Sequence, residues 1–231
     1  MLPSSLQLAM FDMAGTTVND KVGGYPLMII SMIRAFADHG IALAPDLINT
    51  HRGKQKFEAV QALLREHTEL PPKDAEHIAD AVYRDFLHKL ERNLSNISET
   101  DGATETFQLL KSKGIHVGVG SGFPTRIVEA IVSRLGWQDS GLLDYIGSAE
   151  RVGVGRPDPR MIHDAMKRLS ITDARQVVKI GDTVVDIQEG RNAGVWTLAV
   201  LTGSHTETQL VAAEPDYILP SIRELPELFA E

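Results

Sequence analysis

The sequence predicts an α/β protein: a doubly wound, Rossmann-like parallel sheet with a small all-helical insert after its first strand. Three observations lead to this fold class. An apolar run at residues 6–11 ends at Asp12 and turns through a glycine. From Gly102 to the end of the chain, apolar runs of strand length alternate with helical patterns, which is typical of a parallel sheet flanked by helices. Between about residues 22 and 95, the apolar residues recur at helical spacing only.

The two parts of the chain are assigned from these patterns, with the core at residues 1–20 and 100–231 and the insert at residues 21–99. Two polar linkers, 19–24 and 95–101, would join them, as in a hinge. The predicted core strands are residues 6–11, 115–119, 145–147, 176–180 and 195–200. The predicted core helices are residues 125–135, 158–169 (with Pro157 at its start) and 187–193. Helical spacing in the insert occurs at residues 25–39, 57–64 and 78–90.

Composition is that of an ordinary globular protein. The 231 residues are 43% hydrophobic and include no cysteine, so neither disulfides nor thiol chemistry is available. A formal net charge of -8 argues against a general nucleic-acid binder. No apolar run approaches the roughly 20 residues of a membrane-spanning helix, and the first residues lack the pattern of a signal peptide. We therefore expect no nucleic acid and no membrane as a partner, and a cytoplasmic location.

Aspartates follow two of the predicted strands, at positions far apart in the chain. Asp12 ends the first strand, and Asp182 and Asp186 come at the end of the strand at residues 176–180. Because open α/β sheets bind ligands beyond the carboxyl ends of their strands, we expect these side chains to meet. Carboxylates at close quarters repel one another unless a cation lies among them, and Mg²⁺ is a hard cation that prefers such oxygens. Any one of these aspartates alone could equally be a turn or helix-capping residue.

The motifs that contain these aspartates resemble those of the haloacid dehalogenase superfamily. The run Asp12-Met13-Ala14-Gly15-Thr16-Thr17-Val18 is similar to its nucleophile motif, in the alanine form of the phosphonatase branch. Three later motifs follow in the family's order: Ser121-Gly122, Gly155-Arg156-Pro157, and the long segment from Gly181 to Thr197. The resemblance implies a haloacid dehalogenase core with a small helical cap, and a homodimer formed through the caps.

The resemblance also implies roles for the aspartates. Asp12 would be a nucleophile that attacks phosphorus in line and forms an aspartyl-phosphate, which water then hydrolyses. Mg²⁺ would be held by Asp12, by the carbonyl oxygen of Ala14 and by Asp182. Asp186 would complete the metal site in a supporting position.

Two other motifs supply residues for binding a phosphoryl group. Ser121 and Gly122 follow a strand, so that a hydroxyl and backbone N–H groups can face an anion there. Arg156 offers a planar fork of donors that suits phosphoryl oxygens. Apart from the resemblance, Ser121 could equally be a helix N-cap, and Arg156 could be a surface ion-pair residue.

Ala14 bears on which leaving group the site can expel. Phosphatases of the superfamily carry a second aspartate at this position, which protonates the leaving alcohol. A phosphomonoesterase without it would lose the usual acid–base contribution of about 10²–10⁴ in rate. A carbon leaving group that is activated in another way does not need that acid. Phosphonatase supplies the activation through a cap lysine that forms a Schiff base with its aldehyde substrate.

Lys56 lies three residues after Gly53, which is the spacing of that cap lysine. A nearby helix N-terminus and the neighbours Arg52 and Lys54 disfavour a charged ammonium, and a neutral amine is what a Schiff base requires. The basic loop, including Arg52, could instead only bind the substrate, so both interpretations stay open. The chain departs from phosphonatase at Arg52 and Ala59, where the family has methionine and histidine.

These observations predict an enzyme: a Mg²⁺-dependent, phosphonatase-like hydrolase that cleaves phosphonoacetaldehyde or a related small phosphonate. The alternative is a phosphatase that acts on a small phosphate monoester. A third candidate is a non-catalytic phosphoacceptor module such as a receiver domain. Receivers are roughly half this length and have no helical insert, so the insert and its basic loop favour a closed catalytic site.

Overall fold

The computed structural model describes residues 2–51 and 54–229. The chain divides into two compact units, Met1–Asn19 with Ser98–Glu231, and Asp20–Ile97. The first unit contains the large sheet, and the second consists mainly of helices. Across the described residues, no helix is long and apolar enough to span a membrane.

The described residues form ten strands and ten α-helices, numbered in chain order. The strands are β1 (Leu8–Asp12), β2 (Val18–Asn19), β3 (Lys21–Val22), β4 (Tyr25–Pro26), β5 (Ser98–Glu99), β6 (His116–Ser121), β7 (Tyr145–Ser148), β8 (Val177–Gly181), β9 (Trp196–Val200) and β10 (Tyr217–Leu219). The helices are α1 (Leu27–Asp38), α2 (Pro45–Asn49), α3 (Lys56–His67), α4 (Pro72–Arg92), α5 (Ala103–Ser112), α6 (Thr125–Arg134), α7 (Ala149–Val152), α8 (Arg160–Arg168), α9 (Val184–Ala193) and α10 (Glu207–Ala212).

Six of these strands form one sheet in the order β10-β9-β8-β1-β6-β7, and every pairing in it is parallel. The predicted fold class is therefore confirmed. The apolar residues of β1 are fully buried, as expected for a central strand that is covered on both faces. From β1 the chain builds β6 and β7 on one side, then β8, β9 and β10 on the other. The topological switch thus lies at β1 and β8, where open α/β sheets bind ligands.

The helical unit is organised around α4, which packs against both α1 and α3. The apolar residues of α4 recur every three or four positions, so they form one stripe along the helix. Four of them are almost completely buried: Ala79, Val82, Phe86 and Leu90. The burial of this stripe holds α4 against its neighbours. The helices α1, α3 and α4 correspond to the three helices expected in the insert.

Short strands near the two linkers differ from the prediction. β2 pairs with β5 in antiparallel fashion, so residues 98 and 99 belong to the core unit and not to the insert. Residue 20, expected in the core, belongs to the helical unit. β3 and β4 form a small hairpin through Gly23 and Gly24, both at positive φ, where only a linker and a helix were expected. Two-residue strands are too short to show alternation, so hydrophobic patterning does not reveal them.

The helix expected to start at Pro157 begins later, at Arg160. The Arg156–Pro157 peptide is cis, and Pro159 occupies the N-cap position. A carboxylate oxygen of Asp158 accepts from the backbone N–H of Arg160 at 3.0 Å. Such a local side-chain bond competes with the helix and favours its later start. Arg156 consequently lies in a loop.

Candidate active site

Four of the predicted site residues meet at the carboxyl edge of the central strands. Asp12 is the last residue of β1, Asp182 follows β8, Asp186 belongs to α9, and Arg156 lies in the loop before α8. All four side chains are buried. One oxygen from each of the three aspartates lies within 4.8 Å of the others. The fold therefore joins residues that lie far apart in the sequence at the topological switch of the sheet.

Asp12 and Arg156 are in direct contact. Nη1 of Arg156 donates to Oδ1 of Asp12 at 2.7 Å. Burial raises the pKa of Asp12 to about 6; Arg156 opposes the rise, while Asp186 and Asp182 add to it. Burial also works against the charged form of Arg156, but Asp12 and Asp186 raise the pKa of its guanidinium. Arg156 therefore keeps its positive charge, but this charge does not fully compensate the burial of Asp12 beside the two other aspartates.

Asp182 is held in place by two loops. Its Oδ1 accepts from the hydroxyl of Thr16 at 3.1 Å. Its Oδ2 accepts from the backbone N–H and the hydroxyl of Ser204, at 2.8 and 3.2 Å. Gly203 makes this approach feasible, because a Cβ at that position would lie 1.8 Å from Oδ2 of Asp182. Neither Thr16 nor Ser204 was predicted from the sequence as a partner of this carboxylate.

Asp186 lies in the first turn of α9 and not at a strand end, so that part of the prediction was wrong. It forms a capping box with Thr183, whose backbone N–H donates to Oδ2 of Asp186 at 3.2 Å. Its Oδ1 contacts Nη1 of Arg156 and lies 3.2 Å from Nζ of Lys179. Burial alone would raise the pKa of Asp186, but Arg156, Lys179 and Thr183 lower it to about 2. Asp186 is therefore ionised, and both of its oxygens are engaged by donors of the protein.

Two further buried charges, Lys179 and Glu189, were also missed. Lys179 lies in the middle of β8 and Glu189 lies on α9, and neither side chain is exposed. Nζ of Lys179 is 3.1 Å from Oε2 of Glu189, in an ion pair without the alignment of a hydrogen bond. Burial opposes both charges: it raises the pKa of Glu189, whereas Glu189 and Asp186 overcome it at Lys179 and raise the pKa of that ammonium. One signal in the sequence could have revealed this pair: Lys179 lies inside an otherwise apolar strand. Lysines are almost never fully buried without a partner, so a buried acidic partner was to be expected.

The formal charges of this buried group do not balance. Within the described residues of the site, four carboxylates and two cations leave a formal charge of −2. The members are Asp12, Asp182, Asp186, Glu189, Arg156 and Lys179. Buried charge is costly unless it is compensated. A divalent cation among the aspartates would supply the missing charge, and a donor set of oxygens alone suits Mg²⁺. The residues present thus fit a hard divalent cation.

Ser121 and Gly122 lie at the same edge of the sheet. Ser121 ends β6, and its buried hydroxyl accepts from the backbone N–H of Phe123 at 3.2 Å. Gly120 is the register partner of Asp12, so Ser121 and Gly122 extend just beyond the level of Asp12. The N-cap of α6 is Pro124, so Ser121 is not the helix cap that the sequence left open.

The cap residues predicted for substrate contact fall in the helical unit. Lys56 is the first residue of α3 and is buried, with the side chain of Gln55 capping the helix. Nζ of Lys56 donates to the carbonyl oxygen of Lys54 at 3.0 Å. Arg52 lies outside the described residues.

His51, which precedes α3 in the sequence, is also buried. Nε2 of His51 lies 3.1 Å from a carboxylate oxygen of Glu66, and Nδ1 lies 3.5 Å from Nζ of Lys54. The side chain of His51 is 6% exposed, whereas that of Glu66 is about half exposed. His51 is thus connected to α3 through Glu66.

The fold and this buried group of carboxylates and cations define an enzyme with a parallel α/β core, and comparison with known proteins gives the family. A sequence model of the haloacid dehalogenase-like hydrolases matches residues 6–194, and the chain belongs to that family. The predicted family and enzyme class are therefore confirmed.

Two relatives within the family share one name. A phosphonoacetaldehyde hydrolase from Latilactobacillus sakei is 30% identical, over 99% of this chain and 96% of that protein. A phosphonoacetaldehyde hydrolase from Bacillus cytotoxicus is 31% identical, over 86% of this chain and 77% of that protein. The chain is thus phosphonatase-like in sequence.

Solved structures agree on the fold. A phosphonoacetaldehyde hydrolase-like protein from Oleispira antarctica superposes with a TM-score of 0.83 at 20% identity, covering 97% of this chain and 91% of that chain. A predicted phosphoglycolate phosphatase from Haemophilus somnus superposes with a TM-score of 0.79 at 21% identity, covering 97% and 98%. At these identities the likeness shows the fold alone.

Proposed function

We propose that this chain is a Mg²⁺-dependent, phosphonatase-like hydrolase that cleaves a small phosphonate, phosphonoacetaldehyde or a relative, through an aspartyl-phosphate on Asp12. The observation that carries the proposal is the buried contact of Asp12 with Arg156, beside Asp182, in a chain that has Ala14 two residues after Asp12. A carboxylate, a fixed cation and further carboxylates for a metal are the groups that phosphoryl transfer requires.

Asp12 supplies the nucleophile in this proposal. A carboxylate oxygen of Asp12 attacks phosphorus as the phosphorus–carbon bond breaks, and the electron pair of that bond leaves with carbon. Arg156, anchored by Asp186, donates to the phosphoryl oxygens on which charge develops. The hydroxyl of Ser121 and the backbone N–H of Gly122 serve the same oxygens. Water then attacks phosphorus, releases phosphate and restores the carboxylate.

The residues that would hold Mg²⁺ are Asp12, Asp182 and, through its carbonyl oxygen, Ala14. When bound, the ion neutralises charge on the phosphoryl group and on the carboxylates around it. Asp186 suits a supporting position better than a direct one, because its oxygens accept from Thr183 and contact Arg156 and Lys179.

The carbon leaving group needs an electron acceptor, and Lys56 is the candidate that supplies it. Its neutral amine condenses with the substrate aldehyde and releases water, which gives an imine. The electron pair from the broken phosphorus–carbon bond moves into the imine, which is protonated on nitrogen, and gives an enamine. Protonation on carbon and hydrolysis then release the aldehyde product and the free amine. What supports this role is the position of Lys56, which is buried at the first residue of α3 and lies three residues after Gly53, the spacing of the phosphonatase cap lysine.

A phosphatase that acts on a small phosphate monoester is the second candidate. It is favoured by Arg52 and Ala59, where the phosphonatase pattern has methionine and histidine. Lys56 would then bind the anionic substrate only, and solvent would protonate the leaving alcohol in place of the aspartate that Ala14 replaces.

Comparing kcat/KM for phosphonoacetaldehyde and for a panel of phosphate monoesters separates the two candidates. We expect the phosphonate to be preferred, and borohydride added with phosphonoacetaldehyde to trap a covalent adduct on Lys56, located by peptide mass spectrometry. Lys56→Arg keeps the charge but cannot form the imine, so it should lose both the activity and the adduct. Lys73→Arg, on an exposed position of α4, is the matched control and should retain both.

A Lys56→Arg variant that keeps full phosphonate turnover would exclude imine formation on Lys56. A wild type that hydrolyses phosphate esters alone would assign the protein to the phosphatases. In that case Ala14→Asp should increase phosphomonoester hydrolysis, because it restores a carboxylic acid beside the leaving group.

A further inference from the structure

A line of alternating charges runs from Asp12 into the core. Asp12 contacts Arg156, Arg156 contacts Asp186, Asp186 contacts Lys179, and Lys179 contacts Glu189. None of the five residues is more than 6% exposed. The last two members, Lys179 and Glu189, have no assigned part in phosphoryl transfer.

The backbone around Lys179 and Glu189 lets these two side chains meet. Lys179 lies between Met10 of β1 and Thr197 of β9 in the sheet register. Helix α9 passes so close to these strands that a Cβ on Gly190 would lie 3.0 Å from Cβ of Lys179 and 2.5 Å from Cγ2 of Thr197. Asp186 and Glu189 are three residues apart on α9 and so share one face. The close approach at Gly190 thus presents both carboxylates to the ammonium of Lys179.

Stability alone does not account for this pair. Taking a lysine and a glutamate out of water costs several kcal/mol per ion, and apolar side chains of similar size are often as stabilising or more so. Charges in a protein interior act on one another more strongly than charges in water. The charges of Lys179 and Glu189, next to Asp186, therefore act on the other carboxylates of the site, Asp12 and Asp182.

We propose that Lys179 and Glu189 are positioning residues that set the charge of the site at Asp12 and Asp182, and with it the affinity for Mg²⁺. The inference rests on the metal role in the proposed function. With both residues present the formal charges sum to −2, which one divalent cation balances. Loss of the Glu189 charge gives −1 and loss of the Lys179 charge gives −3. Lys179 also holds Asp186, which anchors Arg156.

Calorimetric titration of the full chain with Mg²⁺ alone, without substrate, tests the inference. Glu189→Gln should weaken Mg²⁺ binding about tenfold, and Lys179→Met should strengthen it about tenfold where that variant folds. The double variant restores the charge sum and removes the buried pair as a unit, so its affinity should return to within about threefold of wild type. Glu214→Gln, which makes the same change in an exposed pair with Arg191, is the matched control and should bind as wild type does.

Equal Mg²⁺ affinity in wild type and folded Glu189→Gln overturns the inference, and so does a double variant as weak as the single one. A merely structural pair would lower the melting temperature of these variants and leave the affinity unmoved. A wild type that does not bind Mg²⁺ overturns both the metal assignment of the proposed function and this inference. A wild type that binds Mg²⁺ no better than Glu189→Gln overturns this inference alone, so the two failures are distinguishable.

Discussion

Oδ1 of Asp12 accepts a hydrogen bond from Nη1 of Arg156 at 2.7 Å, although 144 residues separate the two in the sequence. Both side chains are buried, and the same nitrogen also contacts Asp186 on α9. Three separate elements thus define where the guanidinium lies relative to the carboxylate of Asp12. In the proposed reaction Asp12 and Arg156 act together, so substitution of either residue tests it.

Asp12→Asn should abolish turnover, because an amide is not a nucleophile towards phosphorus. The metal-free variant should be at least as stable as wild type, since burial penalises the charged form of Asp12 and asparagine carries no charge. Steady-state rates and thermal melts in chelator measure both effects. Asp101→Asn, which makes the same change in an exposed pair with Arg223, should leave the rate unchanged. Turnover by Asp12→Asn near the wild-type rate would exclude the nucleophile role.

Arg156→Lys should lower kcat/KM by about 10²–10³, because lysine keeps a charge but cannot contact two carboxylates and a phosphoryl group through one planar fork. Arg156→Met should also lower stability by roughly 3–5 kcal/mol, because it leaves Asp12 and Asp186 buried without their cation. Kinetics and urea unfolding separate the two losses. Arg160→Lys, on a half-exposed arginine four residues later, is the control. A fully active Arg156→Lys variant would contradict the phosphoryl-binding role.

Mg²⁺ binding should depend on pH through Asp12, whose pKa burial raises from 3.8 to about 6 in the metal-free protein. A raised carboxyl pKa means that the folded protein holds a proton that the unfolded chain releases. Its contribution to stability is full below pH 3.8 and is lost as the pH rises through about 6. Mg²⁺ competes with that proton, so the apparent affinity should fall by up to about tenfold per pH unit below pH 6. Titrations that give one affinity from pH 5 to pH 8 would refute this linkage.

Gly203→Ala should displace Asp182, because the added Cβ would lie 1.8 Å from Oδ2 of that carboxylate. We expect Mg²⁺ affinity to fall more than about tenfold and stability to fall by about 1–3 kcal/mol, as for other overpacked sites. Gly114→Ala is a useful control, since Gly114 has a φ of 73° but open space around it. It should cost about 1 kcal/mol through the backbone and leave metal affinity alone. Unchanged affinity in Gly203→Ala would show that Asp182 is not a ligand.

The sequence by itself determined the elements whose signals are local. Apolar runs that alternate with helical patterns predicted the parallel sheet, and three- and four-residue spacing predicted α1, α3 and α4 of the insert. The motifs around Asp12, Ser121, Arg156 and Asp182 predicted the family, because each is a short run whose order along the chain is preserved. The homodimer and the cytoplasmic location stay predictions.

Only the tertiary structure decided which side chains meet across long separations. The sequence places Lys179 inside an apolar strand but does not name its partner; α9, close to β8 at Gly190, brings Glu189 to within 3.1 Å of its ammonium. Ser204 binds Asp182 only because the loop after β9 folds back over it. The pairing of β2 with β5 likewise joins segments about 80 residues apart. Such contacts depend on how whole elements pack, and no spacing within either segment encodes the distance between them.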